Sequence, residues 1–146
     1  MKRKVAWASG ALVMLLIAIQ LVPVDRHNPA VESEVPASPE VRAILRRACY
    51  DCHSNETVWP WYSGIAPVSW LISQDVHEGR EKLNLSTWNR LGEAERGKLM
   101  QKAWKAVSEG EMPPWYYVSI HSHAHLSPQD KTLLRALFRD NDIINH

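Results

Sequence analysis

Apolar residues run almost unbroken from Val5 to Val24, with Gln20 the one strongly polar interruption, behind a basic start at Lys2, Arg3 and Lys4. About twenty residues at roughly 1.5 Å each reach about 30 Å, the thickness of a bilayer's hydrocarbon core. A cleaved signal peptide has a shorter apolar stretch that ends in a small-x-small site, and Ala18-Ile19-Gln20-Leu21-Val22-Pro23 offers none. Residues 1–24 are therefore predicted as an uncleaved signal anchor, an N-terminal single-pass transmembrane helix. The basic flank keeps the N-terminus cytoplasmic. The expected location is the bacterial inner membrane, with the membrane as a partner through this helix and everything after it in the periplasm.

The pattern changes at Asp25. Residues 25–37 carry Pro29 and Pro36, show no helical period, and read as an extended linker that holds a domain off the membrane. Residues 38–146 form that domain. Ser38-Pro39-Glu40 combines an N-cap, a proline suited to the first helical position and an acid for the positive helix end. Val41, Ile44, Leu45 and Ala48 follow at i, i+3, i+4 and i+7, one apolar stripe leading straight into Cys49. A second helix is predicted from Pro67, with Val68, Leu71, Ile72 and Val76 on its buried face and Gly79 as its stop. A third covers about Glu93 to Ser108, burying Leu99, Met100, Ala103, Trp104 and Val107 and ending at Gly110. A fourth starts at Ser127-Pro128 and buries Leu133, Leu134, Leu137 and Phe138. No alternating stretch of useful length and no repeat is present. The fold class is all-α.

Charge narrows the partners. The chain has 17 Lys and Arg against 16 Asp and Glu. Three of the bases sit at positions 2–4 and no acid precedes Asp25, so the remainder carries about −2. No basic stripe for nucleic acid is left.

The chemistry is concentrated in Cys49-Tyr50-Asp51-Cys52-His53, which holds the only two cysteines of the chain. C-x-x-C-H is the attachment signature of c-type haem: two thiols form thioethers with the haem vinyl groups, and the adjacent histidine supplies the proximal nitrogen to iron. One covalent haem c is the expected cofactor. A redox dithiol, half of a zinc site and a plain disulfide compete for the C-x-x-C. No βαβ pattern surrounds it, as a thioredoxin-like dithiol requires, and only His121-x-His123-x-His125 offers further zinc ligands. Helices immediately before C-x-x-C-H and at the C-terminus resemble the arrangement of cytochrome c, which implies a cytochrome c-like domain in which the two pack together beside the haem. The cofactor then completes a small core.

The second iron ligand is best supplied by Met112, in Gly110-Glu111-Met112-Pro113-Pro114-Trp115. Two prolines stiffen that loop, and Met100 is accounted for by its helix stripe. His77, His121, His123 and His125 compete, as does a vacant position. Seven Trp and one Phe make the aromatic content lopsided. Trp59-Pro60-Trp61-Tyr62 and Trp115-Tyr116-Tyr117 are expected near the cofactor, packing it or donating an N–H or O–H to a propionate. Ser54 and Asn55 suit a turn just after His53.

Cys49-Tyr50-Asp51-Cys52-His53-Ser54-Asn55-Glu56-Thr57 with Trp59-Pro60-Trp61-Tyr62, Ile65-Ala66-Pro67-Val68-Ser69-Trp70, and Gly110-Glu111-Met112-Pro113-Pro114-Trp115 resemble the bacterial haem-binding domain family related to c-type cytochromes. The resemblance spans about residues 25 to 140. It implies an anchored or exported haem c domain, with His53 at the proximal position and Met112 at the Met-Pro-Pro methionine. The expected function is one-electron transfer by a tethered mono-haem carrier with unidentified redox partner proteins. It is not an enzyme, because no acid/base or nucleophile constellation is present. A haem-based sensor in which Met112 leaves the iron is the alternative, and a peroxidase-like site, lacking a distal base or Arg, comes third.

Overall fold

The computed structural model describes residues 2–139. The predicted domain end, 140–146, lies outside the described residues. Among the described residues there are seven α-helices: α1 (Lys2–Ile19), α2 (Pro39–Ala48), α3 (Tyr50–His53), α4 (Val68–Lys82), α5 (Glu93–Glu109), α6 (Trp115–Ile120) and α7 (Pro128–Arg139). Single 3₁₀ turns occur at Trp61–Gly64, Trp88–Arg90 and Ser122–Ala124. Among the described residues there is no strand, only an isolated bridge between Ser33 and Thr87.

The membrane reading does not hold. Among the described residues no helix is long and apolar enough to cross a membrane. The physical reason lies at both ends of α1. Its first turn is spent on Lys2, Arg3 and Lys4, and past Ile19 the backbone tightens into turn bonds, with Leu21 donating to Ala18 and Val22 to Ile19. What remains both apolar and helical, Val5 to Ile19, spans roughly 22 Å, short of the roughly 30 Å required. The transmembrane helix falls, and with it the single-pass inner-membrane placement from which a periplasmic domain followed. The Gln20 side chain turns instead to the domain: Nε2 donates to the Ala66 carbonyl (3.1 Å) and Oε1 accepts from the Ala66 N–H (3.0 Å).

The helical core follows the predicted stripe throughout α2 and in part in α5 and α7: Ala103 and Trp104 are only partly buried against it, and Leu99 is half-buried outside it. Val41, Ile44 and Leu45 of α2 meet Met100 and Val107 of α5 and Leu134 and Phe138 of α7 in one buried cluster. Helix α7 packs on both α5 and α2. Ser38 Oγ accepts from Val41 N at 3.3 Å to cap α2, and Gly110, at φ 79°, closes α5 in the left-handed region that glycine adopts without strain. Two expectations shift. Leu133 is 41% exposed, on the outer side of α7. In α4 the buried face is Ser69, Val76 and Gly79, while Leu71 points outward, and the helix runs past Gly79 to Lys82.

Segment 25–37 is extended, but it is no free tether. It straps across the domain: Val35 enters the core, Glu32 and Ser33 donate their N–H groups to the Ser86 carbonyl, and Ser73 Oγ donates to the Asp25 carbonyl at 2.8 Å.

Arg47, two residues before Cys49, ties α2 to the start of α7. Its guanidinium donates to the His123 and His125 carbonyls (2.7 and 2.8 Å) and pairs with Asp130 at 2.6 Å. Asp130 also accepts from the Ser127 N–H and hydroxyl. The Arg47 bond, aided by Ser127, holds the Asp130 carboxyl down at about 2. A carboxyl whose folded pKa is depressed stabilises the fold above its ordinary value near 4 and loses that contribution as pH falls through about 2. The melting temperature should therefore drop more steeply for the wild type than for Asp130→Asn as pH falls from about 4 to about 2, as read by thermal denaturation.

Candidate functional site

Cys49 follows the last residue of α2, and the single turn of α3 carries Asp51, Cys52 and His53. The chain is continuous from one helix to the next: Cys49 N donates to the Leu45 carbonyl, and the N–H groups of Cys52 and His53 donate to the Cys49 carbonyl. The motif is thus presented by α2 on a tight turn whose underside is α4.

Both cysteines are free thiols and half-buried. Burial, then the neighbouring Cys52, pushes the Cys49 thiol up to about 12. Burial, then the Asp75 and Asp51 carboxylates, does the same to Cys52. Reactive redox dithiols work by the opposite shift, toward thiolate. The environment therefore disfavours thiol–disulfide exchange, one of the competing readings of C-x-x-C. Zinc also loses ground, because among the described residues no three His, Cys, Asp or Glu side chains stand together as a metal site.

His53 is oriented by backbone. Its Nδ1 lies 2.9 Å from the Gly79 carbonyl and 3.0 Å from the Leu83 carbonyl. Carbonyl oxygens only accept, so Nδ1 carries the proton and Nε2 keeps its lone pair. Burial lowers the histidine's pKa, with the two carbonyl bonds opposing part of that effect, so the ring is neutral near pH 7. This is the state and orientation of a metal-ligating histidine, whose second nitrogen is usually tied back to a carbonyl or carboxylate.

The close approach of α4 depends on Gly79. A Cβ there would overlap the Cys52 carbonyl oxygen and come within 3.1 Å of the Cys52 Cβ. Gly79 is therefore the contact point that lets a helix backbone lie against the motif and offer its carbonyl to His53, and not a helix stop.

The loop after His53 is polar and almost wholly buried, with Ser54 0%, Asn55 5% and Thr57 6% exposed. Buried polar groups cost free energy unless bonded, and Ser54, Asn55 and Thr57 are all bonded, while Glu56 Oε2 is left without a partner. Ser54 Oγ donates to the Tyr50 carbonyl, Asn55 N donates to Ser86 Oγ, Asn55 Nδ2 donates to the Ala30 carbonyl, and Asn84 Nδ2 donates to Asn55 Oδ1. Thr57 Oγ1 donates to the Asp51 carbonyl at 2.8 Å. Arg80, on α4, joins three segments. Its Nε donates to the Ser54 carbonyl, while its terminal nitrogens reach the His27 carbonyl, Asn28 Oδ1 and Thr57 Oγ1, all within 2.7 to 2.9 Å. Sequence reasoning placed Ser54 and Asn55 in a turn but missed Arg80, Asn84 and Ser86. The Arg carries no local signal, and its partners lie 23 or more residues away in the chain.

Met112 sits between the Gly110 cap and α6, its N–H donating to the Ala106 carbonyl at 3.1 Å, and it is 36% exposed. Met100 is fully buried in the core. The two methionines thus divide as their sequence contexts suggest: one packs, and the other is not needed for packing. Helix α6 is bonded to the motif's surroundings. Tyr117 donates to Asp51 Oδ2 at 2.6 Å and Tyr116 to Asp75 Oδ2 at 3.2 Å. Burial raises the Tyr117 pKa well above the ordinary phenol value, so its hydroxyl remains a donor. Tyr62 OH and His121 Nε2 are 2.9 Å apart, and Trp59 Nε1 donates to Asn28 Oδ1. These aromatic donors already have protein partners. Trp61 and Trp115 are 82% and 79% exposed. Of the competing histidines, His77 faces Glu81 at the surface, and His123 and His125 are exposed.

The donor set fits an iron porphyrin: two reduced thiols at the right spacing, a neutral imidazole with a free Nε2, and a thioether outside the core. A family model described as a haem-binding domain matches residues 14–140. No curated protein and no solved structure matches the chain.

Proposed function

This chain belongs to the haem-binding domain family, and from that premise we propose that it carries one haem, attached covalently through Cys49 and Cys52, and exchanges single electrons with partner proteins. The observation that carries the reading is His53: its proton is drawn to Nδ1 by the Gly79 and Leu83 carbonyls, leaving Nε2 for iron beside two unpaired thiols. When bound, the group supplies a one-electron couple, and His/Met ligation gives a higher potential than harder ligand sets. The protein's part is to hold His53 in one tautomer, to keep the post-motif loop rigid through Arg80 and Asn55, and to present Met112 from a stiff loop. Little conformational change on electron transfer is expected from so bonded a site. The reading is of a carrier and not an enzyme.

The second reading, a haem-based sensor, draws on the exposure of Met112 and on its loop having no core anchor of its own. One experiment separates the two. The haem should stay with the denatured chain through acid–organic extraction. The reduced wild type should bind CO slowly, and Met112→Ala should bind it at least about tenfold faster and show a lower midpoint potential. Haem that extracts freely defeats covalent attachment. Fast CO binding by the wild type, unchanged in Met112→Ala, means that Met112 only packs and defeats the carrier reading, whereas fast CO binding that Met112→Ala speeds further favours the sensor.

A further inference from the structure

Helix α6 has six residues and begins three positions after Met112. A helix that short does not hold its own conformation in water, so whatever fixes α6 in place also fixes the methionine loop. Its polar ties to the motif and to α4 are the Tyr117–Asp51 and Tyr116–Asp75 hydrogen bonds. The first is the shorter and has the more constrained partner. Asp51 lies between the two cysteines, and its other oxygen accepts from the Val58 N–H at 3.0 Å. The Tyr117 ring is held from the other side: it stacks on His121 with centroids 4.2 Å apart and planes 23° apart, and His121 is bonded in turn to Tyr62. Tyr117 thus connects the loop that carries Met112 to the five residues that carry Cys49, Cys52 and His53.

Resting on the His53/Met112 ligation proposed above, we infer that Tyr117 is a positioning residue for the distal ligand: its hydroxyl bond to Asp51 sets how firmly Met112 is held toward the iron bound by His53. Removing that hydroxyl keeps the ring that stacks on His121 and cuts the tie that holds α6 to the motif. The Met112 loop then spends more time away from the metal. Losing a hydrogen bond to a charged acceptor corresponds to roughly a ten- to hundredfold larger open population.

The test uses the full-length haem-loaded protein and three variants, Tyr117→Phe, Tyr116→Phe and Asp51→Asn. The readouts are the near-red absorption that methionine ligation gives ferric haem, the rate of CO uptake by the reduced protein, and the thermal unfolding curve. Tyr117→Phe should weaken the near-red band and speed CO uptake at least about tenfold. Tyr116→Phe, which cuts only the longer tie to α4, should change both readouts less than Tyr117→Phe does. Asp51→Asn, which keeps an amide oxygen able to accept, should fall between. If the wild type itself lacks the near-red band, the ligation reading fails and this inference with it. If the wild type shows the band and Tyr117→Phe changes neither band nor CO rate, the inference alone is overturned, even where the melting temperature drops, because the role would then be structural only. Should Tyr117→Phe not fold, Asp51→Asn carries the decision, and wild-type values for both readouts would overturn the inference.

Discussion

Replacing Gly79 with alanine should cost the protein the haem site proposed at Cys49–His53. The added methyl would overlap the Cys52 carbonyl oxygen and press on the Cys52 carbonyl carbon at 3.0 Å. These are mainly backbone atoms in a turn already bonded at both ends, so no flexible side chain can swing away. Either α4 moves off the motif or the motif turn deforms. Both outcomes lengthen the bonds from His53 Nδ1 to the Gly79 and Leu83 carbonyls. Overpacking of this kind costs about 1–3 kcal/mol, occasionally more, and the expected result is a marked loss of retained haem together with a lower denaturation midpoint. Gly97→Ala is the control. Gly97 lies within α5 with open space where its Cβ would go, so alanine there should stabilise the helix by about 0.5–1 kcal/mol. Equal effects at both positions would remove the special role given to Gly79.

Leu134→Ala should destabilise the domain by about 2–5 kcal/mol, the range for emptying a buried leucine site. Leu134 is fully buried in the cluster that α7 shares with α2 and α5. Leu133→Ala, one residue earlier and 41% exposed, should change little. Urea denaturation of the two variants separates them. Similar midpoints would contradict the facing assigned to α7.

That pair of neighbours also marks how far the pattern could be read. Helices α2, α5 and α7 were legible because each has a capped start or a glycine end and a stripe at helical spacing, and their starts fall where Ser38, Glu93 and Pro128 predict. The apolar stripe of α7 is one residue wider than its buried face because Leu133 and Leu134 are equally apolar and only packing tells them apart. Helix α4 departs from its pattern for a different reason. Gly79 looks like a helix end when seen locally, yet its small size serves a contact with Cys52, 27 residues earlier, which no local rule contains. Its buried face also includes Ser69, which a hydrophobic period cannot find. The apolar run continues to Val24, whereas the regular helix stops at Ile19, where the backbone passes into turn bonds four residues before Pro23.

The candidate site divides the same way. Cys49, Cys52, His53 and Met112 announce themselves by motif. Arg80, Asn84 and Ser86, which keep the motif's loop in shape, do not. Their work is hydrogen bonding to backbone groups far away in the chain, and a single sequence carries no signal of such pairs.

The strap has a consequence for anyone who wants to cut this domain out or move its motif elsewhere. Segment 39–57 looks self-contained, a helix, a turn and a signature, and is tempting as a transplantable module. Physically it is not one. Excised, it would leave behind Val35, the Ala30 carbonyl that receives Asn55, and Arg80, which ties Ser54 and Thr57 to the His27 carbonyl and the Asn28 side chain. The unit that can be moved without orphaning these groups begins no later than Asp25, whose carbonyl receives Ser73, and must bring α4 with it.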